Sequence, residues 1–228
     1  MTPLDTGRQD GDTRRQDGCV FCEIVDGRSP ARFEHRVSDD GKLLNHPDLA
    51  AFHNRLDWAR VMLLIVPRTH IAQAEYWTGD LLNEAAKLGI ELGESLCPEG
   101  FRLISNFGRP AHQSQEHAHL HVVSGAGPPT SHEGPLIAQN GAVAVHRVDT
   151  AGVPLSVKLS HRGDATQKQL WTGDHFLRVG RTAIEYASEH TPDGFRLSSE
   201  FQSPASGMSG GGDPGLHLHG GGQLDLYM

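Results

Sequence analysis

Three histidines alternate with small or apolar residues in His117-Ala118-His119-Leu120-His121, and Val122-Val123 follows. In an extended strand successive side chains point to opposite faces. One face therefore carries three imidazoles, and the other carries Ala118, Leu120 and Val122 for a core. Near neutral pH an imidazole can act as a nucleophile, a proton carrier or a metal ligand. The alternation alone leaves all three roles open. A second chemistry-bearing pattern is Cys19-x-x-Cys22, which offers two thiols at a spacing that metal sites use.

The rest of the chain bounds these readings. At 228 residues it can bury a real core as one large domain or two small ones. Hydrophobic residues make up 37% and charged residues 21%, as in a globular protein. A net charge of −8 argues against a surface for nucleic-acid polymers or anionic membranes. The longest apolar run, Val61 to Val66, is far too short to span a bilayer. Residues 1–18 are rich in Gly, Asp, Arg and Gln, lack an apolar signal core and read as a disordered tail. Three cysteines make no disulfide framework, so the expected setting is the reducing cytoplasm.

The elements that must position the histidines follow from local pattern. Cys19 to Val25 reads as a short strand-like run, Asp48 to Asn54 as a second strand, and Val61 to Val66, stopped by Pro67, as a buried strand. Leu81, Ala85, Leu88 and Leu92 share one helical face, with Thr78 or Asp80 at the start and Pro98 and Gly100 at the end. Phe101 to Phe107 is a strand candidate that leads through a Gly/Pro/His loop to the histidines. A Gly/Pro/Ser-rich stretch from Gly125 to Pro135 reads as a linker.

Beyond it the pattern recurs. Trp77-Thr78-Gly79-Asp80 returns as Trp171-Thr172-Gly173-Asp174, and Phe101-Arg102-Leu103 returns as Phe195-Arg196-Leu197, both at an offset of 94. Leu216-His217-Leu218-His219 resembles Ala118 to His121, which puts Gly215 at the place of the first histidine. Glu200 replaces Asn106, and Arg147 replaces Asn54. The stretch Ser203 to Gly215 reads as a flexible Gly-rich loop. The second half is therefore read as structural, with one working site in the chain. The expected organisation is a tail at 1–18, a catalytic unit at 19–126, a linker at 127–134 and a degenerate unit at 135–228.

Gln113-Ser114-Gln115-Glu116 followed by the histidine strand resembles the signature of the histidine triad (HIT) nucleotide hydrolases and transferases. Supporting segments lie in the same order: CVFCEIVDGRSPA from Cys19, AFHN from Ala51, LIVPRTHI from Leu64 and GFRLISNFG from Gly100. The resemblance implies an α+β fold built of tandem units, each an antiparallel sheet with one main helix, paired as an intramolecular pseudo-dimer. The tandem arrangement is also similar to that of the sugar-1-phosphate uridylyltransferases. The resemblance further implies attack on the α-phosphate of a nucleotide conjugate by His119, through a nucleotidyl-histidine. His117 and His121 would orient it and Ser114 would stand beside the phosphate. Phe52, His53, Asn54, Asn106 and Gln113 would bind the nucleotide, and Phe21 and Ile24 would line the base pocket. Histidine rather than Gln at position 121 leans toward the hydrolase branches. The alternative is a nucleotide-binding or regulatory protein with weak or altered chemistry.

Two departures weigh on this reading. Glu116 brings negative charge beside the phosphate site unless it points away. Met62 stands where relatives carry a histidine, so zinc on Cys19, Cys22 and His117 lacks a ligand and no cofactor is required. His70 is read as structural. His35, His46, His112, His132, His161, His175 and His190 are read as loop or helix-end residues, and Cys97 as packing. The expected partner is a nucleotide or nucleotide conjugate, with no nucleic-acid polymer and no membrane. The chain is expected as a monomeric pseudo-dimer or a homodimer.

Overall fold

A computed structural model describes residues 15–37, 43–126, 134–164, 166–203 and 214–226. Most of the expected tail, nearly all of the expected linker, and much of the Gly-rich loop before Gly215 lie outside these residues. So does His132.

The chain opens with helix α1 (Val20–Val25) and three short strands, β1 (Phe33–Glu34), β2 (Arg36–Val37) and β3 (Leu43–Leu44). Strands β4 (Leu49–His53) and β5 (Met62–Pro67) follow, then helices α2 (Gln73–Thr78) and α3 (Leu81–Leu96). Next come β6 (Gly100–Phe107), a 3-10 turn at Arg109–Ala111 and β7 (Leu120–Ser124). The second half holds β8 (Leu136–Asn140), β9 (Val143–Arg147), β10 (Leu155–His161), α4 (Gln167–Thr172), α5 (Phe176–His190), β11 (Phe195–Gln202) and β12 (Leu216–Gly220). No described helix is long and apolar enough to cross a membrane.

Ten strands form one antiparallel sheet in the order β1-β4-β5-β7-β6-β11-β12-β10-β9-β8. Its two halves mirror each other about the β6–β11 pair, which runs from Phe195↔Phe107 to Gln202↔Gly100. Registers repeat as well. Leu49 faces Pro67 in the first half, and Val143 faces His161 in the second. Aromatic pairs seal the junction: the rings of Phe101 and Phe201 stack 4.6 Å apart, and those of Phe107 and Phe195 stack 4.2 Å apart.

Helices α2 to α5 cover one face. A single hydrophobic core runs from Leu49 through Leu103, Trp77 and Trp171 to Leu218, so the two halves share their interior. The indole rings of Trp77 and Trp171 meet edge-on at 5.9 Å. On the opposite face, α1 packs Phe21, Cys22 and Ile24 onto Ala50, Phe52, Leu64 and Val66.

Three sequence expectations change. The Cys19 run is a helix, with the Glu23 N–H bonded to the Cys19 carbonyl. Six apolar-rich residues are too few for periodicity to separate helix from strand. Helix α2 precedes α3, and its Gln73, Tyr76 and Trp77 face inward. Gly79 parts the two helices, and neither expected cap makes a side-chain cap bond: Asp80 stands at the N-cap of α3 without one, and the Thr78 hydroxyl donates back to the Ala74 carbonyl.

Because one core crosses the junction, the two halves should unfold together. Leu103→Ala, at a fully buried position on β6, is expected to cost about 2–5 kcal/mol. It should shift the urea transitions seen by tryptophan fluorescence and by far-ultraviolet dichroism equally. Two separate transitions would show independent halves.

Candidate active site

His119 is held from beneath. Ala118, Leu120 and Val122 enter the core, while the imidazoles face the other way toward α1. The Gln73 side chain clamps the His119 backbone: its amide N–H donates to the His119 carbonyl at 2.9 Å, and its Oε1 accepts the His119 N–H at 2.9 Å. Ser105 Oγ receives hydrogen bonds from Gln73 and from Trp77 Nε1 and itself reaches the same carbonyl. A bidentate amide thus substitutes for a neighbouring strand where β7 has not yet begun.

The ring is oriented too. His119 Nδ1–H donates to the His117 carbonyl at 2.9 Å, leaving Nε2 as the lone-pair nitrogen. Burial lowers the His119 pKa and keeps the imidazole neutral, the form a nucleophile needs. Burial pushes His121 well below its usual value, and its ring meets that of His119 edge-on at 4.9 Å.

These rings border a cavity of about 790 Å³. Phe21, Ile24, Phe52 and Leu64 form an apolar wall, and His53, Asn54, Gln113, Ser114, His119 and His121 supply polar groups. His53 Nε2 lies 2.6 Å from Glu34 Oε1. Asn54 Oδ1 accepts the Leu56 N–H and closes its own turn. The loop before the triad starts at Gly108, whose φ of +74° and whose approach to the Asp193 carbonyl both exclude a side chain. Gln113 braces this loop by accepting the Gly108 N–H and donating to the Gln115 carbonyl. Glu116 is exposed and lies outside the cavity wall, whereas Gln115 is part of it.

Two expected site residues sit elsewhere. His117 does not border the cavity: its Nε2–H donates to the Pro67 carbonyl at 2.9 Å, and its Nδ1 faces Cys19 and Cys22 at 3.4 and 3.5 Å. Its contribution to His119 is the backbone carbonyl rather than the ring. Asn106 is also absent from the wall, because its Oδ1 accepts a hydrogen bond from Arg196 Nε at 2.8 Å.

The Met62 argument is corrected as well. Met62 packs with Ile104 and Val123 and has no part in the thiol cluster. His70 supplies the fourth donor, with Nδ1 3.4 Å from Cys22 Sγ. The donor atoms of Cys19, Cys22, His70 and His117 all lie within 4.8 Å of one another. Zinc bonded to sulfur at ~2.3 Å and to nitrogen at ~2.0 Å has ligand–ligand edges of roughly 3.3–3.8 Å, so the contacts fit a tetrahedral Cys2His2 site.

In the second half the same clamp holds a different residue. Gln167 donates to the Gly215 carbonyl and accepts the Gly215 N–H, and Trp171 and Ser199 complete the network. Gly215 therefore occupies the place of His119, not that of the first histidine. The registers agree: Leu120 faces Ile65, and Leu216 faces Leu159. A Cβ on Gly215 would collide with the buried Lys158 side chain, which fills this position.

Gln73, Ser105, His70, Arg196 and Leu226, which joins the cavity wall from the C-terminal segment, escaped the sequence reading. For Gln73 and Ser105 a signal existed. Both halves read Gln-x-x-x-Trp-Thr-Gly-Asp and Phe-Arg-Leu-x-Ser.

Oriented histidines that lead into a strand beside a polar loop resemble the histidine-triad arrangement, and comparison with known proteins agrees. The HIT domain model matches residues 35–127. A HIT-like protein of Chlamydia pneumoniae is 30% identical over 110 residues, covering 46% of this chain and 92% of that protein. The adenosine 5'-monophosphoramidase of Schizosaccharomyces pombe is 26% identical over 105 residues, covering 46% of this chain and 72% of that enzyme. The chain belongs to the HIT family. Its architecture across both halves is similar to that of a GalT-like protein from Arabidopsis thaliana, with a TM-score of 0.56 at 13% identity, covering 92% of this chain and 83% of that one.

The clamp gives a paired prediction. Gln73→Ala and Gln167→Ala each leave one buried N–H without its partner and remove one of the two donors to a buried C=O, at a cost of roughly 1–3 kcal/mol. Of the two, only Gln73→Ala should alter the His119 ring resonances in a nitrogen–proton NMR spectrum. Equal ring perturbation by both variants would separate the clamp from the site.

Proposed function

We propose that this protein is a nucleotide hydrolase or nucleotidyl transferase that acts at the α-phosphate of a nucleotide conjugate through His119. One observation carries this reading: the His119 imidazole, held by the contact of its Nδ1 with the His117 carbonyl, borders a cavity that is apolar on one side and polar on the other. In the first step Nε2 attacks the α-phosphorus. The bond to the leaving group breaks, and that group departs with the electron pair and takes up a solvent proton relayed by the Ser114 hydroxyl. Water or another acceptor then attacks the same phosphorus and gives up its proton to solvent, while the P–Nε2 bond breaks and its electron pair returns to Nε2. Splitting the reaction lets one set of donors serve two similar transition states. The base would lie against Phe21, Ile24 and Phe52, and the ribose beside His53 and Asn54. His121 would face the phosphate. The named activity of the fission-yeast relative is consistent with this class of chemistry.

The second half, in this reading, is a degenerate HIT-like copy, and the single chain is a pseudo-dimer. The mirrored strand order and the repeated Gln/Trp/Ser network support it, and Gly215 with Lys158 accounts for a second position without a nucleophile. A zinc ion on Cys19, Cys22, His70 and His117 completes the proposal. When bound it would supply a structural cross-link between α1, the β5 exit and the residue before Ala118. The cytoplasm remains the proposed location.

The chemistry is tested by incubating the protein with adenosine 5'-phosphoramidate and with a panel of α-phosphate-labelled nucleotide conjugates. A quenched acid-labile adduct should form on wild type and be absent from His119→Ala, with turnover lowered at least 1,000-fold. Ser114→Ala should lose about 100- to 10,000-fold, the range for a positioned proton-transfer group. Stoichiometric nucleotide binding without adduct or turnover would favour the regulatory alternative. For the metal, the untagged protein as purified should hold zinc, and Cys22→Ser should lose that equivalent together with thermal stability. Absence of zinc from protein purified without chelators would overturn the assignment.

A further inference from the structure

The second half gathers another set of donors that the triad chemistry does not use. His161 is the last residue of β10, Asp164 lies in the turn after it, and His175 stands at the N-cap of α5. His175 Nε2–H donates to Asp164 Oδ2 at 2.7 Å, and His161 Nδ1 lies 3.4 Å from the same oxygen. The two imidazoles stack at 3.8 Å with 10° between their planes, so both rings present a nitrogen to one carboxylate. The carboxylate is 9% exposed, and the histidine side chains are 18% and 24% exposed. His161 Nδ1 is buried and makes no hydrogen bond among the described residues. The donor atoms of all three residues lie within 4.8 Å of one another.

From this geometry we infer that His161, Asp164 and His175 form a binding site for a divalent transition-metal ion, of which Zn2+ is the best matched. Two imidazole nitrogens and one carboxylate oxygen suit a borderline ion, not Ca2+ or Mg2+, which favour oxygen donors. Three protein ligands leave a fourth position of a tetrahedron for water. The hydrogen-bonded His175–Asp164 contact must open by about 0.6 Å to reach metal-ligand edges, and the stacked rings must tilt apart so that their nitrogen lone pairs converge on one ion. His175 must also move its proton from Nε2 to Nδ1, which a neutral imidazole does without net proton release. The described ion-pair partners of Asp164 are the two histidines alone, so a metal would supply fixed positive charge that the carboxylate otherwise lacks.

Position in the fold gives the site a role. The registers place His161 opposite Val143, where the first half has Pro67 opposite Leu49. Asp164 then stands at the counterpart of His70. The exit of the mirrored strand thus carries a metal-ligand type of residue in both halves, with different companions. A bound ion would pin the β10 exit to the start of α5. Further along α5, Arg181 donates to the Thr78 carbonyl, which ties the helix to the end of α2.

The test uses the full-length untagged chain, dialysed against a weak chelator, with the metal content determined before titration. Calorimetric addition of ZnCl2 should reveal a saturable equivalent beyond what the protein already holds. Asp164→Asn and His161→Gln should each weaken that equivalent at least tenfold while leaving the metal content as purified unchanged. Added Zn2+ should also raise the thermal midpoint of wild type and not that of the variants. If His175→Ala fails to fold, Asp164→Asn, close to isosteric, decides the matter. No saturable uptake, or uptake unchanged by these substitutions but lost on changing His217 and His219, would overturn the assignment. Neither result depends on turnover at His119.

Discussion

Everything on this molecule's working face depends on the ladder between β6 and β11. Eight residues of each strand pair there, and the two halves become one sheet over one core. Asn106 is thereby placed opposite Arg196, and its carbonyl oxygen is taken up by the guanidinium. The same ladder carries the C-terminal segment to the loop before the triad. Leu224 N–H meets the Pro110 carbonyl, the His112 ring bonds the Leu224 carbonyl, and Leu226 joins the cavity wall. The candidate site is thus assembled from the first half's chemistry and the second half's buttresses.

The repeated amide clamp separates scaffold from chemistry. Gln73, Ser105 and Trp77 hold the backbone of His119, and Gln167, Ser199 and Trp171 hold that of Gly215. Backbone hydrogen bonds are indifferent to the side chain they carry. The frame therefore persists while its occupant changes from an imidazole to a hydrogen atom. Lys158, where the first half has the cavity-lining Leu64, then occupies the vacated volume with only 2% exposure.

Much of this was legible in the sequence. The alternating histidines, the main helix and the strands from Leu49 onward carry periodic signals that survive in the fold, and the motifs spaced 94 residues apart fall in halves with mirrored strand order. The failures at the site share a physical cause: they depended on contacts between distant segments. Nothing near His70 announces that its ring meets Cys22, 48 positions earlier. Asn106 carried the amide expected of a phosphate contact, yet its partner lies 90 residues away. Gly215 was misplaced because sequence matching aligned histidines, whereas the structure aligns hydrogen-bond partners. The Cys19 run was too short for either period to register.

In the proposed pseudo-dimer both halves share one polypeptide. A two-chain assembly disperses on dilution, whereas covalently joined halves face each other at a fixed effective concentration however scarce the protein becomes. Two-fold symmetry in a homodimer also imposes every substitution twice. A single chain escapes that duplication. Gly215 and Lys158 arise on one side only, Arg196 faces a neutral Asn106, and its repeat counterpart Arg102 faces Glu200. On one polypeptide the charge pattern can differ between the two sides of the sheet, whereas a symmetric pair of identical chains must repeat it.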